Sequence, residues 1–122
     1  MKYPILFLLA LICFLGSCSN SENAKNIIGH WQGTQWLVEN RPGNYNADST
    51  SFKFDEKGNY TFTYKSNVEA GTYKVENNML FTRPAGEKEM MVYIEKLSGD
   101  TLQFKMDRGG VSELLTLLRQ RK

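Results

Sequence analysis

Ile28-Gly29-His30-Trp31-Gln32-Gly33-Thr34-Gln35-Trp36-Leu37-Val38-Glu39 is the stretch from which the rest of the chain is read. In a strand, successive side chains point to opposite faces. On that parity Trp31 and Leu37 share one face, and Trp36 and Val38 the other. One indole would then stand in water. Gly33 lies between the two tryptophans, and a glycine inside a strand marks a bulge or bend. One extra residue reverses the facing of everything that follows. The expectation is a long first strand, bent at Gly33, that turns Trp31 and Trp36 both inward. The alternative is an edge strand with one tryptophan exposed.

Downstream, Asn40 to Ser49 holds Pro42-Gly43 and repeated asparagines, which break regular structure. A loop of this length either covers a site or is a solvated connection. Short alternating segments follow. Phe52 and Phe54 alternate with polar residues, and Tyr60, Phe62 and Tyr64 with threonines. Gly71, Tyr73 and Val75 share one face of the segment ending at Glu76. Asn77-Asn78 suits a two-residue turn, because Asn tolerates the left-handed conformation. Met79 to Thr82 is short. From Glu89 to Leu97 the pattern is loose, with Met90, Val92 and Ile94 on one face and Met91 and Tyr93 on the other. Leu102, Phe104 and Met106 alternate again. The last segment, Val111 to Arg119, also fits a helix face through Leu114, Leu115, Leu117 and Leu118. The preceding Gly109-Gly110 suits a hairpin, which favours a strand.

The count is eight strands with hairpin-length connections after the first loop. Short connections make neighbours antiparallel. Alternation means one face buried and one wet. The expected fold is all-β, an eight-stranded antiparallel up-and-down barrel, which removes both sheet edges. A barrel of this size is filled by side chains or holds one small ligand.

Upstream, Lys2 precedes an apolar run from Ile5 to Phe14, long enough for a signal h-region and too short to span a bilayer. Leu15-Gly16-Ser17-Cys18 resembles a bacterial lipoprotein lipobox. That resemblance implies cleavage before Cys18 and a lipid on its sulfur, palmitate among the acyl chains. Residues 1–17 are then the signal peptide, 18–26 a polar tether, and 27–122 the barrel domain. Of the two cysteines, Cys13 would leave with the signal and Cys18 would be blocked. The mature domain has no thiol for a disulfide, thiolate catalysis or a metal. Loss of Lys2 lowers the formal charge of +2 by one. A near-neutral domain gives no electrostatic case for nucleic acid. The expected membrane contact is the lipid on Cys18, with more than one acyl chain for stable anchoring. The expected location is the cell envelope, on the outer membrane, as a monomer.

Catalytic chemistry is sparse. His30 is the single histidine and points away from the face that Trp31 buries. No second histidine or free cysteine completes a zinc site. No serine stands in a nucleophile motif. Asp48, Asp55, Asp100 and Asp107 lie at turns, where Asp makes local hydrogen bonds. No phosphate-binding glycine loop opens a helix. The expectation is a protein with no catalytic site, cofactor or metal.

Gly29-x-Trp31 at the head of a long bent strand, the long first loop, the hairpin meander and a basic residue in the last strand resemble the lipocalin pattern. More closely, the chain is similar to compact lipocalin-like lipoproteins of Bacteroidetes-type bacteria, from about Ile27 to Arg121. The resemblance implies that Trp31 plugs the closed end. It also implies that a base of the last strand, Arg119 before Arg121, packs over Trp31 as a structural pair. The domain is shorter than typical lipocalins, and its many inward rings imply a small cavity or none.

Two functions follow as expectations. One is an anchored barrel binding a small apolar molecule, with Trp36, Tyr45 and Tyr64 at the open end. The other is an envelope interaction protein with a filled barrel, meeting a partner through an outer face that includes Met91 and Tyr93. An open apolar cavity of about 300 Å³ or more favours the first.

Overall fold

Every ladder in the sheet is antiparallel, and the last strand returns to pair with the first. The computed structural model describes residues 18–121. The signal-peptide stretch, 1–17, and Lys122 lie outside the described residues. A helix α1 (Cys18–Asn26) leads into β1 (Gly29–Val38), and a two-residue strand β2 (Arg41–Pro42) folds back on the end of β1. The meander is β3 (Thr50–Phe54), β4 (Asn59–Tyr64), β5 (Asn67–Glu76), β6 (Met79–Pro84), β7 (Met90–Ser98), β8 (Thr101–Arg108) and β9 (Val111–Arg119). β1 and β3 to β9 form a closed eight-stranded up-and-down barrel.

β1 closes the barrel because it serves two neighbours. Its first half pairs with β3, from Gly29↔Phe54 to Gln32↔Ser51. On its other edge it follows β9 from Trp31↔Arg119 to Val38↔Glu113. The ladder with β9 slips between Gly33 and Gln35, so Thr34 is the extra residue of a bulge. Its hydroxyl donates to the Thr116 carbonyl at 3.3 Å. The slip reverses the parity beyond it, as the sequence implied. Trp31 is fully buried and Trp36 is 8% exposed. A second slip, between Ile94 and Lys96, does the same for β7 and explains its loose alternation. Ile94 and Leu97 can thus both pack inward.

Val111 to Arg119 pairs along its length with β8, which excludes the helical alternative. Leu115 and Leu117 enter the core, while Leu118 faces outward. β5 begins at Asn67, ahead of the alternation that Gly71 opens. Its hairpin with β4 turns through Lys65-Ser66, with Lys65 at φ 57°, a conformation that carries no Gly or Asn signal in the sequence. Asn77 takes φ 55°, the left-handed turn conformation expected of it.

The polar stretch read as a tether is helical. Cys18–Asn26 forms nine residues of helix that lie against the barrel near β5. The Asn23 amide donates to the Asn77 carbonyl at 2.7 Å. Ile27, just after the helix, is fully buried. Composition missed this because the helix has almost no apolar face of its own; its neighbour Ile27 makes the burial. Among the described residues, no helix is long and apolar enough to cross a membrane.

The core fills the half of the barrel nearest α1. Trp31, Leu80, Leu102, Phe104 and Leu117 are at most 1% exposed. Phe52 stands in the middle, with its ring centroid 4.7 Å from Phe62, 5.3 Å from Phe104 and 5.4 Å from Phe54.

Candidate functional site

The barrel has a closed end and a mouth. At the closed end, the Trp31 indole N–H donates to the Ile27 carbonyl at 2.8 Å. The Arg119 guanidinium lies 4.3 Å from the Trp31 ring centroid. It also donates to the carbonyls of Ile28 at 2.9 Å and Asn26 at 2.8 Å, and pairs with Asp100 at 3.4 Å. Arg121 pairs with Asp100 as well and has no place over the indole. Gly29 gives the Gly-x-Trp spacing its physical reason. A Cβ at Gly29 would stand 2.8 Å from an Arg119 terminal nitrogen, and its φ of 139° suits glycine. The missing side chain is the space through which the guanidinium reaches the ring.

The mouth is built differently. Leaving β1, the chain pairs back through Arg41–Pro42 and then docks a 3-10 turn, Ala47–Ser49, against Gly33. A Cβ at Gly33 would fall 2.2 Å from the Ala47 carbonyl oxygen, so only glycine admits the loop there. Gln32 donates to the carbonyls of Asp48 at 2.8 Å and Thr50 at 3.0 Å. The backbone N–H of Asn46 donates to the Tyr64 hydroxyl at 3.2 Å. The loop is thus an ordered part of the mouth and not a solvated connection.

Tyr45, carried by that loop, stacks on Trp36 at 4.5 Å, and Tyr64 meets both rings edge-on at 6.1 and 6.5 Å. The three aromatics singled out in the sequence therefore form one cluster. Beneath it, Glu113 is 5% exposed. A buried carboxylate requires partners. The Trp36 indole N–H donates to it at 2.9 Å and Arg108 pairs with it at 3.1 Å. Arg108 also lies 5.7 Å from the Tyr45 ring centroid.

Inside the mouth is a cavity of about 300 Å³. Its walls are mostly rings and aliphatic groups, among them Trp36, Phe52, Phe62, Val92, Phe104 and Leu115. Met90 and Met91 reach its rim and are 50% and 43% exposed. The polar groups are few: Tyr60, Glu69 and Thr82 on one wall, Asp107 and Arg108 on another. The Tyr60 hydroxyl donates to Glu69 at 2.6 Å. Burial, and then that hydrogen bond to a carboxylate, pushes the Tyr60 phenol well above its ordinary value.

Of the three aromatics, Trp36 borders the cavity, while Tyr45 and Tyr64 pack around Trp36. The sequence reading missed Tyr60, Glu69, Arg108 and Glu113 as mouth residues. A signal existed for two of them. Glu69 shares the inward parity of Gly71 and Tyr73, and Glu113 that of Leu115 and Leu117. An acid on a core parity is a deliberate placement.

Outside the barrel, a groove of about 410 Å³ runs along Gly29, His30, Lys53 and Asp55. It has no concave floor of core residues beyond Phe54 and Tyr60. Partial burial, then the Lys53 ammonium, lowers the His30 imidazole from its ordinary value. Among the described residues no group of acids, histidines or cysteines could hold a metal. Tyr93, on the outer face, is 49% exposed.

A closed eight-stranded meander, a plugged end with an arginine over a tryptophan, and an open end with an apolar cavity are now in place. The model of the lipocalin-like domain family matches residues 27–104. The chain belongs to the lipocalin-like domain family. The match covers β1 to the first half of β8, and β9 completes the lipocalin-like barrel by pairing with β1. No curated protein matches the chain.

Proposed function

We propose that this lipocalin-like barrel is a binding module for a small apolar molecule, held in the cavity beneath Trp36, and that it carries out no catalysis. The observation that supports this best is the cavity itself. Its 300 Å³ lie at the small end of the range for ligand sites, about 300–1,000 Å³. Its walls are apolar, with a few convergent polar groups, as ligand sites are. A filled barrel with only a protein partner would have no use for that space. Trp36 reports on the site, since it borders the cavity and Trp31 is buried at the other end. In a folded Trp31→Phe variant, apolar compounds at tens of micromolar should change Trp36 emission saturably. Native mass spectrometry of protein purified from its own host should show a co-purifying small molecule. Absence of both signals would reject the reading.

The second part of the proposal is that lipid on Cys18 anchors the domain to the outer membrane as a monomer. It rests on the lipobox-like Leu15-Gly16-Ser17-Cys18 and on the apolar run before it. Cys18→Ser should release the protein from membranes or leave it unprocessed. Labelled palmitate entering that variant as well as the wild type would overturn the assignment.

A further inference from the structure

We infer that the cavity selects apolar molecules whose head is a primary amine over those that end in a carboxylate. This rests on the ligand-binding reading above and names the chemistry of its ligand. A carboxylate head needs an unbalanced cation, and among the described residues lining the cavity Arg108 is the one cation. Its charge is already balanced by the buried Glu113 carboxylate, 3.1 Å away, and its guanidinium leans on the Tyr45 ring. Drawing it toward a second carboxylate would weaken its hold on Glu113, which otherwise keeps only the Trp36 N–H.

Glu69 presents the opposite case. It lies on the inward face of β5, half-buried, opposite Phe62. Among the described residues no cation pairs with it. An ionised carboxylate offers about four acceptor positions. The Tyr60 hydroxyl fills one, at 2.6 Å. The others are available to a donor entering from the mouth. A second acid, Asp107, lines another wall of the cavity. An anionic head would enter against both. An ammonium would meet them favourably.

The test is calorimetric titration of the protein at neutral pH with octylamine, octan-1-ol and octanoate, which share a chain and differ in head. Octylamine should bind tightest and octanoate weakest, by about tenfold or more, as expected for one charge-assisted hydrogen bond. Glu69→Gln, checked for folding by circular dichroism, should weaken octylamine about tenfold and leave octan-1-ol within about twofold. The wild-type ranking needs no variant. Octanoate binding as tightly as octylamine would overturn the head-group preference and leave the ligand-binding reading standing. The same holds if the amine preference survives in folded Glu69→Gln. Binding of none of the three would remove the cavity reading and this inference with it.

Discussion

At the closed end, the Trp31 indole donates to a backbone carbonyl, that of Ile27; at the mouth, the Trp36 indole donates to a side-chain carboxylate, that of Glu113. Each tryptophan has an arginine in attendance. Arg119 lies directly on Trp31 and spends its other donors on the carbonyls of Asn26 and Ile28. Arg108 reaches Trp36 only through Tyr45 and Glu113. Backbone acceptors are fixed by the strand or helix that carries them. Side-chain acceptors can rotate. The same residue types therefore make a plug held mainly on backbone carbonyls at one end and a rim held on side chains at the other. The cavity lies at the end held by side chains.

Truncation of the two tryptophans tests this contrast most strongly. Trp31→Ala should destabilise the domain by about 3–5 kcal/mol in urea unfolding, as for a large ring removed from a tight core. Trp36→Ala should cost less by about 1 kcal/mol or more, because a void already lies beside it. Equal losses would break the distinction between plug and rim.

Gly29→Ala tests why the plug needs a glycine. The added methyl meets the Arg119 terminal nitrogen and places alanine at φ 139°. The expected loss is about 1–3 kcal/mol. A fall in the 4.3 Å stacking should show as a change in Trp31 near-UV circular dichroism. A neutral Gly29→Ala would mean that Arg119 has room to spare.

The smallest effect is at alkaline pH, and it sits at the mouth. Tyr60 has its folded value raised, so the unfolded chain loses that proton first. From about pH 10 upward the native state therefore binds more protons than the unfolded state, and stability falls as pH rises. Tyr60→Phe should flatten this decline in thermal unfolding. It should not abolish it, because the Tyr73 phenol is raised in the same direction by burial and by Asp55. An unchanged slope in Tyr60→Phe would show that burial and Glu69 do not hold the Tyr60 phenol above its ordinary value.

The barrel was legible because alternation is a local property that each strand repeats. Phe52 with Phe54, Tyr60 with Phe62, and Leu102 with Phe104 each declare a buried face without reference to anything distant. Even the bend in β1 was legible, since two tryptophans of opposite parity demand a slip. The mouth was only half legible. Trp36, Tyr45 and Tyr64 come together as expected, but Glu69 and Glu113 are not among the residues the sequence placed at the mouth. Their inward parity is visible locally, while the partners that give it meaning are not: Glu113 lies 77 residues from Trp36. The helix at 18–26 was missed for a related reason. Its docking depends on Ile27 and on Asn77, which is 54 residues from Asn23.

That helix has a consequence for direction. It crosses the plugged end, the side opposite the cavity, and is fastened there through Asn23 and Asn26. Nine helical residues span about 13 Å, where an extended leash would reach about 30 Å. With lipid on Cys18, the barrel would stand close to the bilayer on a short, stiff foot, its opening turned away. Cargo would then be traded with the aqueous compartment or with a facing protein, and not drawn sideways out of the membrane that holds the foot.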